Sequence, residues 1–427
     1  MEGHLRMSQE ELERKRVMEA VLEGRLSLRK ASQLLQISYR QAVRVCQRFR
    51  AEGAKGLVHR SRGRPSNRRH PEGLKRKALK RYEERYKAFE LGPTLLAEKL
   101  AEEGLVVDHE TLRRWLIAAG HWTRKRKRAE HRSRRERKPH FGELVQMDGS
   151  HHAWFGPDRP KACLMEMVDD ATGTTLALMA EEETTEAAMR LVWTWNERFG
   201  VPQALYTDKK NVFITDREPT LEEQLAGEEP LTTFGKACKK LGIEIIAAHS
   251  PQAKGRVERK HGVLQDRFVI ELALAGVKTI ATANKMLQEG FMKKLNQKFS
   301  QPPLDPHDFH RPVPASVNLA DVFCFEEQRT LANDWTLRHH NRYYQIARNN
   351  KPLPKPKDKI LMRWRLDGEL VLLYKGKPLR YQRLTPHQYE KASRKTAVAE
   401  PEKPTPSGKG SPWRQNCSLM FGESTGQ

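Results

Sequence analysis

Three acids stand where a carboxylate can hold a hard cation. Asp148 ends an apolar run in LVQMDGSHHAWFG, Asp208 follows a short one in ALYTDKKNVF, and Glu258 falls in the first turns of a predicted helix in AHSPQAKGRVERKHGVLQDRF. Cutting a phosphodiester without a covalent intermediate needs a water or hydroxyl nucleophile, an in-line leaving group and neutralised charge. Two Mg²⁺ ions about 3.5–4 Å apart supply all three. Mg²⁺ takes oxygen ligands and keeps several waters, so two or three protein carboxylates suffice. Taken alone, an Asp…Asp…Glu triple carries little information, since strand-end acids are commonly solvated. Their flanks set these three apart, and for this chemistry they must converge from separate elements at one edge of a rigid sheet.

The surrounding pattern supplies such elements. Residues 143–150 read as a strand that ends just past Asp148. Two further strands, 161–168 and 174–180, join through the turn Asp169-Asp170-Ala171-Thr172-Gly173. Then come a helix over 184–199, a short strand over 204–207 ahead of Asp208, and a helix over 232–241 that stops at Gly242. A strand over 243–248 and a long helix over 255–271 complete the series. Three strands followed by alternating helices and strands predict a mixed α/β sheet over residues 141–300. Asp169 and Asp170 read as turn residues, a position Asp favours, rather than as further ligands. His151 and His152 either assist proton transfer or simply continue the strand.

The 427-residue chain carries 78 Lys and Arg against 54 Asp and Glu, a formal charge of +24. A surplus that large repels itself unless a polyanion shares it, which points to nucleic acid. Residues 1–55 show how DNA would be read. A helix over 27–35, a turn at Gln36-Ile37 and a helix over 39–50 follow one another, with Ser38 and Gln41 at capping-box spacing. Arg40, Arg44 and Arg48 share one face of the second helix, while Val43, Cys46 and Phe49 can face a core. Helix, tight turn and basic helix form the helix-turn-helix pattern. Residues 56–71 are a basic linker, in which Arg62 and Arg64 suit either a minor-groove arm or a solvated connection. Residues 72–122 read as a second helix-turn-helix-like module, with Arg113 and Arg114 on a helix capped by Asp108. Residues 123–140 are a second basic linker, with ten basic and two acidic residues between 123 and 138.

Past the core, residues 301–333 form a Pro-rich connector and 334–387 a small β-barrel with a basic face. Met362, Trp364 and Leu366 alternate with Arg363 and Arg365 up to Asp367-Gly368, a hairpin signal, and Leu370, Leu372 and Tyr374 alternate after it. Residues 388–427 have the polar, Pro/Gly/Ser-rich composition of a disordered tail. No run approaches the ~18 apolar residues of a membrane span, and the first residues lack the apolar stretch of a signal peptide. The five cysteines are scattered without a CxxC spacing, which argues against a disulfide framework or zinc knuckle and for a reducing cytoplasm. The fold class expected is multidomain: N-terminal all-α helix-turn-helix modules, a central α/β core and a C-terminal small β-barrel.

The strand ending in Asp148, the Thr-Asp pair at 207–208 and SPQAKGRVER leading into a helix resemble the DDE transposases and retroviral-type integrases. Within these the bacterial insertion-sequence transposases are most similar. The resemblance spans about residues 10–385, with 250–258 its most specific part. It implies an RNase H-like core, two Mg²⁺ or Mn²⁺ ions per active site, and strand cleavage followed by transesterification. It also implies Asp148, Asp208 and Glu258 as the catalytic metal ligands. The partners implied are double-stranded DNA, as element ends and target, and further copies of the chain, in a bacterial, nucleoid-associated setting.

Departures from that family are also visible. Between Asp208 and Glu258 lie 49 residues, more than in many relatives, and the excess falls in 216–230, where six acids and one base read as an acidic surface insertion. The zinc-binding His/Cys module of retroviral integrases is absent, so no zinc is expected. Gly262 and Gln265 stand where those integrases carry DNA-touching lysines, so that contact is not implied. His261 can face the metals, but Mg²⁺ prefers oxygen ligands. Lys254 and Arg259 are either phosphate contacts or solvated. Two other classes fit part of this pattern: a non-catalytic DNA-binding regulator, which ought to have lost acids that are intact here, and a metal nuclease that cuts without joining.

Overall fold

Side-chain caps start four of the α-helices described in the first of two units, residues 1–127 and 128–427. The computed structural model describes residues 5–63, 69–123, 135–227, 229–248, 254–385 and 388. Helix α1 (Gln9–Leu22) starts in a full capping box, in which the Glu11 amide donates to Ser8 Oγ at 3.3 Å and the Ser8 amide to Glu11 Oε2 at 2.8 Å. Helices α2 (Leu28–Leu34) and α3 (Tyr39–Glu52) begin at Ser27 and Ser38, each accepting one amide hydrogen bond. Gln36 turns the chain between them at a left-handed φ of 51°. Met18, Ala31, Val45, Cys46, Phe49 and Leu57 form the core. Val45 thus takes the place expected of Val43, which is only half-buried. A Cβ on Gly56 would lie 2.4 Å from the Arg48 carbonyl oxygen, so only glycine lets the chain fold back onto α3 there. The second module has α4 (Glu72–Arg81), α5 (Pro93–Glu102) and α6 (His109–Ala118), with Leu96, Leu100, Leu112 and Leu116 fully buried.

The second unit is built on a five-stranded mixed sheet in the order β3-β2-β1-β4-β5. Strands β1 (Leu144–His152), β2 (Ala162–Asp169) and β3 (Thr175–Ala180) are antiparallel neighbours, while β4 (Ala204–Thr207) and β5 (Glu244–Ala247) run parallel to β1. Alternation along the strands sorts the two faces. Val145, Met147, Cys163, Met165 and Met167 face a core closed by α7 (Thr185–Phe199) and α9 (Thr233–Leu241). Residues of opposite parity meet α10 (Gly255–Leu274), backed by α11 (Ile280–Met286) and α12 (Met292–Phe299). Ladder pairing of β1 with β4 ends at Gln146↔Tyr206. Two residues further along each strand come Asp148 and Asp208, level with one another on neighbouring strands roughly 4.8 Å apart.

The acidic insertion holds a short helix, α8 (Leu221–Ala226), closed by a capping box at Thr220 and by left-handed Gly227. Beyond the core comes α13 (Leu319–Val322), and then β6 (Cys324–Thr330) begins ahead of the boundary read at 334. The region expected to be a barrel is two sheets sharing one core. Strands β7 (Thr336–His339), β8 (Arg342–Ile346) and β12 (Tyr381–Leu384) form one, and β6, β9 (Lys359–Arg365), β10 (Leu370–Tyr374) and β11 (Lys377–Leu379) the other. Among the described residues no ladder joins them: the chain leaves β6 through a turn containing left-handed Trp335 and starts a separate sheet. The Asp367-Gly368 hairpin between β9 and β10 forms as expected. Val322, Phe323 and Leu366 pack this region onto the α7 side of the core.

Candidate active site

Parallel pairing of β1 and β4 brings two of the three expected acids together, and the loop before α7 adds another. Carboxylate oxygens of Asp148, Asp208 and Glu183 all lie within 4.8 Å of one another. The Glu183 side chain is 5% exposed and pairs with Lys210, which also lies 3.3 Å from Asp208 Oδ2. Gly149 makes room for it, since a Cβ there would stand 2.7 Å from Glu183 Oε2 and 2.9 Å from Cys163 Sγ. The Lys254 ammonium, its side chain 8% exposed, sits 3.0 Å from Asp148 Oδ1 and 3.7 Å from Asp208 Oδ2.

Helix α10 grips the same strand from the other side. His261 Nε2 lies 3.4 Å from Asp148 Oδ2, and its Nδ1 lies 2.9 Å from Oε1 of Glu166, the cross-strand partner of Asp148 on β2. The Glu166 contact is close but off the line of a good hydrogen bond. Burial works against the imidazolium, yet the Asp148 and Glu166 carboxylates outweigh it and raise His261 to about 9. For Asp148 burial pushes upward, but His261 and Lys254 prevail and hold its carboxyl at about 2. Glu166, fully enclosed, is pushed up by burial. Further along α10, Gln265 Nε2 donates to Ser150 Oγ at 2.9 Å.

Glu258 occupies the first turn of α10, one turn before His261 on the same helix face. Its side chain is exposed and makes no ion pair with a described residue, and it is not among the acids whose oxygens meet beside β1 and β4. Arg259 beside it is exposed as well. Lys254, read as phosphate contact or solvated, is instead buried between the two aspartates. Asp169 and Asp170 do sit at the β2–β3 turn, but both are fully buried. Asp169 accepts from the amides of Gly142 at 3.0 Å and Thr172 at 2.7 Å. His151 stands near Cys163 and Glu183, and burial raises the Cys163 thiol to about 12, which leaves it a poor metal ligand.

The expected DNA-facing arginines divide sharply. Arg40 and Arg44 on α3 are exposed and Arg48 half-buried, none with an ion-pair partner among the described residues. Arg62 closes back on α1, its Nη2 lying 2.7 Å from Glu11 Oε2 and its Nη1 donating to the Arg6 carbonyl at 2.8 Å. On α6, Arg113 grips Glu110 through two 2.7 Å hydrogen bonds and Arg114 shares that acid at 3.3 Å. Arg64, residues 249–253, most of the basic run before 135 and nearly all of the tail lie outside the described residues. Sequence reasoning missed Glu183 and Glu166. Glu183 lies in a run of three acids that reads as solvated, whereas Glu166 had left a signal: it is an acid flanked on both sides by apolar residues in the middle of the strand ACLMEMVD.

Comparisons with known proteins agree with this layout. A helix-turn-helix domain model matches residues 13–66 and a homeodomain-like domain model residues 41–116. A Sinorhizobium fredii protein named as transposase y4bF is 37% identical over 385 residues, covering 89% of this chain and 82% of that protein. The transposase for insertion sequence IS1202 of Streptococcus pneumoniae is 28% identical over 409 residues, covering 87% and 86%. Among solved structures, the simian T-cell lymphotropic virus intasome covers 72% of this chain and 99% of its own at 15% identity and a TM-score of 0.30, too distant a likeness to carry weight. Among the described residues no helix is long and apolar enough to cross a membrane. With more than a third of its residues shared over four fifths of a relative's length, and DNA-reading modules ahead of an acid-lined mixed sheet, the chain belongs to the insertion-sequence transposases.

Proposed function

We propose that this chain binds the ends of a mobile element, cleaves DNA strands there and joins the freed 3′-hydroxyls to target DNA by two-metal-ion transesterification on an RNase H-like core. The observation that carries the reading is the meeting of Asp148, Asp208 and Glu183 oxygens within 4.8 Å beside β1 and β4. The donor set is all oxygen, it already takes up the Lys254 ammonium, and buried Glu183 Oε1 has no hydrogen-bond partner. These residues fit Mg²⁺ or Mn²⁺. Asp148, Asp208 and Glu258 would hold two ions, which when bound supply charge neutralisation at the phosphate and a water nucleophile at neutral pH.

The chain's own residues prepare that site. His261 and Lys254 keep Asp148 ionised, and His261 fixes the direction of its carboxylate. Arg259, exposed next to Glu258, offers a guanidinium to the DNA backbone, and Arg40, Arg44 and Arg48 read the element end. Water attacks the phosphodiester at that end and the 3′-oxygen leaves as a hydroxyl. That hydroxyl then attacks a target phosphate and displaces a second 3′-oxygen. Two ends cut together call for a multimer, most simply a dimer.

The test uses the full chain with end duplexes in Mg²⁺. The expected result is strand-specific cleavage that EDTA abolishes, and joining of pre-cut ends to a plasmid. Cleavage with no joining of pre-cut ends would make the protein a nuclease. End binding with neither reaction, in Mg²⁺ or Mn²⁺, would make it a DNA-binding regulator.

A further inference from the structure

Asp170 is fully buried and gathers donors from several separate stretches of chain. Its Oδ1 accepts from Gln146 Nε2 at 2.9 Å, from Arg256 Nε at 2.7 Å and from the Arg135 guanidinium. Its Oδ2 accepts from the Lys138 amide at 2.8 Å. Gln146, also fully buried, turns its Oε1 to the Val257 amide at 3.2 Å. Arg256 Nη2 donates to the Arg135 carbonyl at 3.1 Å, and Arg137 Nη1 to the carbonyls of Asp170 and Ala171, both at 3.0 Å.

Each partner has a place relative to the acid cluster. Gln146 precedes Asp148 by two residues on the same face of β1, and Arg256 and Val257 immediately precede Glu258. Arg135 and Lys138 close the basic run that enters the core. An ordinary turn aspartate is solvated and needs no guanidinium. Enclosing this one is costly unless its partners stay in place, so the β2–β3 turn becomes an anchor for the first turn of α10. The contacts beyond it, His261 to Asp148 and Gln265 to Ser150, recur every four residues of helix and every two of strand. Those steps are about 6.0 Å and about 6.6 Å. They stay in register when the first rung, Val257–Gln146–Asp170, is set, and Glu258 stands on that rung.

We infer that Asp170 is a positioning residue: through Arg256 and Gln146 it fixes the first turn of α10, and with it the Glu258 carboxylate, beside Asp148. Through Arg135 and Lys138 it ties the same turn to the basic segment entering the core. The inference rests on the proposed role of Glu258 as a metal ligand.

Mn²⁺ binding to the full chain without DNA, followed by electron paramagnetic resonance of the free ion, tests it apart from activity. Asp170→Asn should weaken binding about tenfold, the range typical of residues that orient a metal ligand, and Glu258→Gln, which removes the proposed ligand itself, at least as much. The double variant should be no weaker than Glu258→Gln alone, because Asp170 acts through Glu258. An Asp170→Asn chain that melts lower but keeps the wild-type Mn²⁺ affinity, while Glu258→Gln weakens it, would overturn the inference and leave the ligand reading standing. Additive losses would also overturn it. Unchanged affinity in Glu258→Gln would remove the ligand reading and this inference together. Should Asp170→Asn fail to fold, Arg256→Gln takes its place: it removes one link, leaves Asp170 with Arg135, Gln146 and the Lys138 amide, and should show the same non-additive pattern with a smaller loss.

Discussion

The acid cluster on the sheet and the arginine face of α3 use charge in opposite ways. Around Asp148 most charges already have a partner: Lys254 and His261 meet the aspartate, Lys210 meets Glu183 and Asp208, and Glu166 lies behind His261. On α3, Arg40 and Arg44 are exposed, no acid stands in the first turn, and no described residue pairs with them. Charges fixed by a folded sheet are preorganised, which suits chemistry at a point. Charges left unpaired on one helix face keep their full attraction for an outside polyanion. Substitutions in the two regions should therefore separate cutting from reading.

The largest effect is expected at the aspartates. Asp148→Asn or Asp208→Asn keeps the side-chain shape and removes the charge that would hold a cation. Partners that merely orient metal ligands typically cost about 10–100-fold when lost, so a direct ligand should cost more than about 100-fold in cleavage. Binding to end DNA should stay within about twofold, because the proposed reading of the ends lies with the helix-turn-helix residues of α3 and not with the acids. Gel-shift and cleavage measured on the same preparations check this, and near wild-type cleavage in either variant would take that aspartate out of the site. Glu258→Gln should behave likewise.

On α3 the pattern should reverse. Arg40→Ala and Arg44→Ala, near the helix N-terminus, should reduce discrimination between end and random duplexes by about tenfold or more. Arg48→Ala should weaken both alike and lower the log–log salt slope by about one. Cleavage of saturated end DNA should be retained in all three. If none of them altered either affinity, α3 would be a structural helix and the contrast between the two regions would collapse.

The same contrast explains what the sequence discloses. Strands and helices follow periodicity, so β4 is read exactly and α7 to within a residue. Asp148 and Asp208 are legible because one lies within an apolar strand and the other directly follows one, each with an informative flank. What periodicity does not carry is pairing between distant elements. Lys254 reads as phosphate contact or solvated residue until β1 and β4 meet beneath it, and Asp170 reads as a turn residue until Arg135, Gln146 and Arg256 converge on it. Glu183 is lost in an acidic run that looks solvated. Glu166 is the exception, since an acid within an apolar strand must find a buried partner.

A smaller effect is expected from deleting residues 216–230 and closing the gap with a short loop. Leu221 and Leu225 of α8 are 72% and 81% exposed, and the cap of that helix is local, so the excision removes little core. Cleavage should remain measurable. Six of the fifteen residues removed are acids and one is basic, so affinity for random DNA should rise at low salt and return to wild type once the charges are screened. A folded deletion protein with no cleavage would make the insertion part of the active site.

The smallest expected effect, and the one that sharpens the contrast most, lies on α6. Arg113 and Arg114 have the same side chain as Arg40 and Arg44, but Glu110 holds both, and the interaction with Arg113 draws the Glu110 carboxyl down to about 2. If availability rather than number decides which arginines contact DNA, neutralising Glu110 should make α6 resemble α3. Glu110→Gln keeps the side-chain length and the helix, and Asp108 retains its cap on the Thr111 amide at 2.8 Å. Affinity for random duplex at low salt should rise about two- to fivefold, with a salt slope steeper by up to about one as freed guanidinium groups reach phosphate. Melting should barely change, since exposed ion pairs contribute little. Discrimination for the element end should not improve, because phosphate contacts carry no sequence information. A gain in end discrimination would instead make α6 a base-reading helix held in check by Glu110. No change in either affinity would mean that this face of α6 does not approach DNA.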